Sequence, residues 1–378
     1  MKPAVLVVFV DALGPREADL LVESGLALPH RASLTGVLGY SSGAIPTILT
    51  GVSPSRHGRM CLFSRLEPQA VSPLQPLQWL GLMPRIVHER ARVRRMASLA
   101  IARLRGFDGY LALHRVPPAL FARLDVPERE DLFKARDIGG VPTFLARARE
   151  AGLRVVTSDW RKPEASRIAD LEAAPEADLV FLYLSGLDAI LHRDGGIEQD
   201  ARAWATQAAS WVQRAQRAMA GGESRREVQT LVIGDHGMAS VETVVDPRPT
   251  LAELDRLLGR EFVFVDSTML RVSAPAARSA DARAILGRLP VNVLDAEGMA
   301  ARDAPSDGRY GDLIALLPEG SIFAPSFVGG RVRGMHGYDR SSPSAHAALL
   351  SSEPLPPELG RLEDVAGWVC RALDLGPS

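Results

Sequence analysis

Cysteine is scarce in this chain. Only Cys61 and Cys370 occur among 378 residues, far apart and in no CxxC pair. A disulfide framework is therefore not expected, a reducing compartment fits, and each cysteine reads as a small buried apolar residue. Excess charge of one sign is missing too. Lysine plus arginine number 44 against 45 aspartate plus glutamate, for a net charge of -1. Bulk electrostatic attraction to nucleic acid or membrane is not implied, and no nucleic-acid partner is expected. No run approaches the roughly 18 uninterrupted apolar residues of a membrane-spanning helix. There is no internal repeat and no long low-complexity tract. The opening MKPAVLVVFVDALG has one basic residue, an aspartate inside its apolar run and no small-residue cleavage site, so it reads as a buried first strand rather than a signal peptide. The expectation is a cytoplasmic protein. Arginine greatly outnumbers lysine beside abundant alanine, a pattern of GC-rich coding rather than of anion binding, so arginine counts by themselves carry little.

Short β-branched runs alternate with helical patterns, the signature of an α/β protein with a mainly parallel central sheet flanked by helices. Strands are expected at 4–10, 153–158, 178–184, 229–234 and 312–317, and helices at 16–24, 141–151, 197–219 and 362–373. In such sheets the ligand site lies beyond the carboxyl ends of the strands. Two segments break the rhythm. Residues 59–137 carry proline-rich turns around an arginine-studded helical stretch and read as an inserted lid. Residues 247–309, containing EFVFVDSTMLRVSA and ADARAILGRL, read as a small α+β subdomain within one large domain.

The chemistry-bearing residues fall at strand ends and between glycines. Asp11 follows the first apolar run. In GYSSGAIPTILTGVSPSRHG, residues 39–58, Ser41 or Ser42 begins a short helix, where unpaired backbone N–H groups and the helix dipole favour an anion, although serine is also an ordinary helix cap. Asp188 and His192 are four residues apart, a spacing that puts both on one helix face and suits a shared metal ion. The apolar run before VIGDHGM delivers Asp235 and His236 at its carboxyl end with glycine on both sides. His336 stands between glycines in RVRGMHGYD. Of eight histidines, three occupy these positions. Three carboxylates, three histidines and a helix-start serine form two sets of hard and borderline ligands, which suits a pair of zinc-like ions.

The order Asp, Ser/Thr before xPTxLTGxxPxxHG, DxxxH, DHGM and GxHGYD resembles the alkaline phosphatase superfamily, on its type I phosphodiesterase/nucleotide pyrophosphatase side. The likeness covers nearly the whole chain outside 59–137, and RYGDLIALLPEG at 309–320 resembles the strand that follows the inserted subdomain of that branch. The resemblance implies that Asp188, His192 and His336 hold one ion. It implies that Asp11, Asp235 and His236 hold the other, with the oxygen of the nucleophile. Counting back from Thr50-Gly51, the nucleophile falls on Ser41, with its neighbour Ser42 as the alternative. The implied activity is two-metal hydrolysis of a small-molecule phosphodiester or pyrophosphate through a phosphoserine, with zinc expected and manganese the alternative. Phosphomonoester or phosphonate hydrolysis and mutase-like transfer are rival reactions on the same scaffold. A sulfatase is disfavoured because no CxPxR occurs, and a metal-binding interaction module without catalysis is the rival of another class. Where that branch carries a phosphate-contacting asparagine, this chain has Leu62, and Arg59 or Arg65 is the expected substitute.

Residues 84–104 admit two readings. Arg85, Arg90, Arg92, Arg94, Arg95 and Arg103 could form a lid or lipid-facing surface for anions, or simply the solvated face of an amphipathic helix. Trp79, Leu80, Leu82 and Met83 just upstream are expected in a core.

Overall fold

The computed structural model describes residues 3–173, 176–221, 226–259 and 261–376. At its centre is a six-stranded sheet in the order His30–Leu34, Ala347–Ser351, Val228–Ile233, Ala4–Val10, Leu179–Leu184, Val155–Thr157. The last four run parallel, while Ala347–Ser351 is antiparallel to both of its neighbours. Every residue of Ala4–Val10 is buried, as a strand covered by helices on both faces must be. Alternation splits its side chains. Leu6, Val8 and Val10 pack with helices Pro15–Glu23, Glu164–Glu172 and Gln199–Ala220, whereas Val5, Val7 and Phe9 pack with Ser41–Thr50, Phe144–Glu150 and Asp364–Ala372. Two layers of helices therefore sandwich the sheet. The register pairs Val10 with Leu184 and Phe9 with Ile233, so Asp11, the Ser185 turn and Asp235 emerge at one edge.

Three features differ from the sequence-based reading. The antiparallel strands His30–Leu34 and Ala347–Ser351 were not expected, since HRASL shows little apolar content and AALLS reads equally as helix. The 312–317 run forms Leu313–Leu316, but in a second, antiparallel sheet ordered Val263–Val265, Met269–Val272, Leu313–Leu316, Asn292–Leu294. That sheet thus extends beyond the 247–309 range, with its own apolar cluster under helices Arg248–Leu258 and Ala276–Leu286. Residues 59–137 fold around a further cluster that includes Phe63, Leu74, Leu80, Ile101 and Phe121, and this cluster takes in Phe262 and Phe264 from the second sheet. Of the four residues expected in a core upstream of Pro84, Leu80 is buried but Trp79 and Leu82 are exposed. Among the described residues no helix is long and apolar enough to cross a membrane.

Candidate active site

The helix Ser41–Thr50 is aimed by the motif around it. Gly39 has φ 121°, and a Cβ there would stand 2.6 Å from the carbonyl oxygen of Met60, so only glycine lets the two segments approach. Tyr40 is the N-cap residue in extended conformation, which makes Ser41 and Ser42 the first two helical residues. Their backbone N–H groups make no hydrogen bond within the described chain, as expected of a first turn. His57, from the PxxHG part of the motif, braces this helix from behind. Its Nδ1 accepts from the Arg59 N–H at 3.1 Å, so Nε2 carries the proton and donates to Thr47 Oγ1 at 2.9 Å. Thr47 in turn donates to the Gly43 carbonyl at 2.9 Å. Burial, and then Arg59, push the His57 imidazolium down to about 3, so the ring is a neutral support.

Two ligand-type clusters stand at the sheet edge. Asp11, Asp235 and His236 form the first, entirely buried, and Asp188, His192 and His336 form the second. His236 Nε2 lies 3.2 Å from Asp235 Oδ2 and 3.8 Å from Asp11 Oδ1. His192 Nε2 and His336 Nε2 lie 3.2 and 3.8 Å from Asp188 Oδ1. The rings of His236 and His336 stack with centroids 3.6 Å apart, so the clusters are adjacent. Ser41 Oγ is 3.1 Å from His236 Nε2. His236 Nδ1 donates to the Gly237 carbonyl at 2.9 Å and His192 Nδ1 to the Gly334 carbonyl at 2.8 Å. Each of these bonds fixes the tautomer that leaves Nε2 with its lone pair facing the cluster. Gly337, at φ 87°, folds the His336 loop onto the helix start; a Cβ there would be 2.5 Å from the Tyr40 ring.

The donors fit divalent cations. Asp11 Oδ1, Asp188 Oδ1, Asp235 Oδ2 and His336 Nδ1 are buried without a hydrogen-bond partner, which protein interiors rarely tolerate. Burial, and then Asp235 and Asp188, hold the Asp11 carboxyl well above the usual range, while burial and the neighbouring His236 and His192 hold His336 well below its own. Against the opposing effect of burial, Asp235 and Asp11 raise the His236 imidazolium to about 10. Carboxylates crowded in this way around three imidazoles, of which His336 is held neutral, form an oxygen and nitrogen donor set suited to positive charge in their midst.

The clusters open into a cavity of about 530 Å³ lined by Ser41, Ser42, Leu62, Tyr110, Glu128 and Trp160 among others. Leu62 reaches this wall, but Arg59 and Arg65 do not, which corrects the expectation that either replaces the asparagine. Arg59 is taken by the Pro127 carbonyl, and Arg65 by Ser273 Oγ at 3.1 Å beside Asp312. No arginine or lysine among the described residues lines the cavity. Arg94 of the 84–104 stretch is likewise internal, donating to the carbonyls of His88 and Val116 at 2.6 and 2.7 Å. Sequence reasoning missed Tyr183, whose hydroxyl donates to Asp11 Oδ2 at 2.6 Å; a lone phenol near the end of an apolar strand was its only signal. It also missed Glu128, buried in the cavity wall with Oε1 unpartnered, which has no local signature at all.

A mainly parallel sheet between helices, with two donor clusters and a helix-start serine at one edge, defines an alkaline phosphatase-like hydrolase. The chain belongs to the type I phosphodiesterase/nucleotide pyrophosphatase family, whose profile matches residues 101–339, well over half its length. A search of curated proteins finds no match. Among solved structures the chain is similar to murine ectonucleotide pyrophosphatase/phosphodiesterase 5, with TM-score 0.66 and 15% identity over 99% of this chain and 96% of that one. The human counterpart gives TM-score 0.65 and 13% identity over 100% and 96%. An inactive murine variant in complex with AMP gives 0.65 and 15% over the same shares.

Proposed function

We propose that this phosphodiesterase-family enzyme is a two-metal-ion hydrolase that cleaves a phosphodiester or pyrophosphate bond through a phosphoserine on Ser41. The observation that carries the reading is the meeting of Ser41 Oγ with the Asp11/Asp235/His236 cluster, next to the second cluster of Asp188, His192 and His336. Zinc in both clusters, or manganese, would lower the pKa of the serine hydroxyl and offset charge on the leaving oxygen. Ser41 Oγ gives up its proton and forms a bond to phosphorus as the bond to the leaving alcohol breaks, and that alcohol departs protonated. Water then adds to the phosphoserine, returning the proton to Ser41 and releasing the phosphate product. The free N–H groups of Ser41 and Ser42, at the positive end of the helix, face the developing charge on the phosphoryl oxygens. Tyr183 keeps Asp11 in place through its hydroxyl. The neighbour solved with AMP was made inactive by replacing one threonine with alanine, which supports a hydroxyl amino acid in the nucleophilic role. The substrate is read as a small-molecule phosphate ester.

A cytoplasmic location is part of the same proposal, since both cysteines are free and buried. Turnover of an aryl phosphodiester and an aryl phosphate by the zinc- or manganese-loaded enzyme tests the function. Diester hydrolysis that stops on chelation and returns with metal is the expected result. Preference for the monoester would favour the phosphomonoesterase reading, and metal binding without any turnover would favour the interaction module.

A further inference from the structure

The lid presents apolar side chains outward. Leu82 is 89% exposed and Ile86 73%, and Met96, Leu99 and Leu104 are exposed as well, so half of the large exposed hydrophobic residues of the described chain fall within this one stretch. A helix normally spends its apolar face on its core. Helix Ala91–Arg105 does so with Ala97 and Ile101, which sit in the lid cluster, and still has apolar residues on the opposite side. At 100° per residue, Met96 and Leu99 share that outer face with Arg92, Arg95 and Arg103. None of these three arginines makes an ion pair or side-chain hydrogen bond with the described residues. Between Pro84 and Gly106 there is one acid, Glu89, and Arg85 engages it at 2.9 Å. The chain as a whole is nearly neutral, so this concentration of positive charge is local.

We propose that the outer face of helix Ala91–Arg105 docks on an anionic membrane surface, with Met96 and Leu99 entering the headgroup boundary, Arg92, Arg95 and Arg103 meeting the lipid phosphates, and the exposed Leu82 and Ile86 of the preceding turns adding apolar contact. Interleaved aliphatic and arginine side chains suit that environment, because long cationic stems reach the headgroups while the apolar tips sink below them. A second copy of the chain would set arginine against arginine on this face. Nucleic acid would satisfy the arginines but leave the aliphatic tips in water. The inference does not depend on the hydrolase reading, although the same inserted segment also supplies Tyr110, His114 and Glu128 to the cavity wall.

Co-sedimentation of the full chain with vesicles of phosphatidylcholine alone, and of phosphatidylcholine with phosphatidylglycerol, tests it. Binding is expected only with the anionic lipid and is expected to weaken as salt is raised. Each arginine near such a surface is worth about fivefold in partitioning, so R92E/R95E/R103E should bind at least about a hundredfold more weakly. L82Q/I86Q/M96Q/L99Q should lose about tenfold or more while keeping the charge. Both variants should retain the wild-type melting temperature and turnover of a soluble aryl diester, which separates docking from folding and catalysis. Failure to bind anionic vesicles, equal binding to neutral ones, or unchanged binding by either folded variant would overturn the proposal. So would self-association or RNA binding that the same substitutions abolish while vesicle binding persists.

Discussion

Ser41 Oγ lies 3.1 Å from Nε2 of His236 in the Asp11/Asp235/His236 cluster, a contact its neighbour Ser42 does not make among the described residues. Of two adjacent serines at the start of one helix, it is Ser41 that meets a donor cluster. Replacing Ser41 with alanine is expected to lower kcat on a diester by on the order of 10⁴ or more while leaving the fold intact. Ser42→Ala should keep measurable turnover. Rates and melting curves of the two variants check this, and the reverse pattern would transfer the nucleophilic role to Ser42.

Metal content gives a second prediction. Wild-type protein loaded with zinc should carry close to two ions per chain, and Asp235→Ala or His236→Ala should lose one of them with most of the activity. Elemental analysis after dialysis against chelator-free buffer reads the number. One ion or fewer in the wild type would rule out the two-cluster reading.

Tyr183 acts on the site through Asp11. Removing its hydroxyl in Tyr183→Phe leaves Asp11 Oδ2 without its 2.6 Å donor. Partners of this kind are commonly worth about 10- to 100-fold in metal affinity or activity. A metal titration in which the Phe variant loads normally and turns over at the wild-type rate would show that Asp11 needs no such support.

His57 predicts an acid limit on stability. Its folded pKa, lowered to about 3 by burial and Arg59, lies below the ordinary value of 6.5. Between those values the unfolded chain takes up a proton that the folded chain refuses. Stability is therefore fully present above about pH 6.5 and falls as the pH drops toward 3, by up to about 1.4 kcal/mol per pH unit. His57→Gln should flatten this part of the profile in denaturant titrations at pH 4 to 7. An unchanged slope would mean that other groups set the acid limit.

The buried pair of Arg271 and Asp266, 2.5 Å apart, ties the second sheet to the 59–137 segment, because Arg271 also donates to the Phe63 carbonyl at 2.9 Å. Arg271→Ala strands a buried carboxylate and should cost about 3–5 kcal/mol. Arg271→Met with Asp266→Leu should recover most of that loss. A double variant as unstable as the single one would show that the bond to Phe63, rather than charge pairing, dominates.

What the sequence by itself determined is the set of residues at the strand ends. Ala4–Val10, Leu179–Leu184 and Val228–Ile233 are legible because a strand buried on both faces must be apolar throughout, and a polar residue closing such a run is conspicuous. Asp11, Asp235, His236 and His336 are each marked by that contrast or by flanking glycine, and Asp188 and His192 by their four-residue spacing. What only the tertiary structure decided is everything that depends on a distant partner. The 313–316 run has the same apolar composition as the central strands, yet it pairs with Met269–Val272 and Asn292–Leu294, since composition records burial and not the neighbour that provides it. Arg59 and Arg65 look as available as any arginine, but backbone and side-chain acceptors far along the chain hold them away from the cavity. Glu128 carries no local mark and still faces the cavity, and Ser41, which the motif count favours over Ser42, meets His236 from 195 residues away. Local pattern reports how a segment meets water; hydrogen bonds and packing across the fold decide what each side chain meets instead.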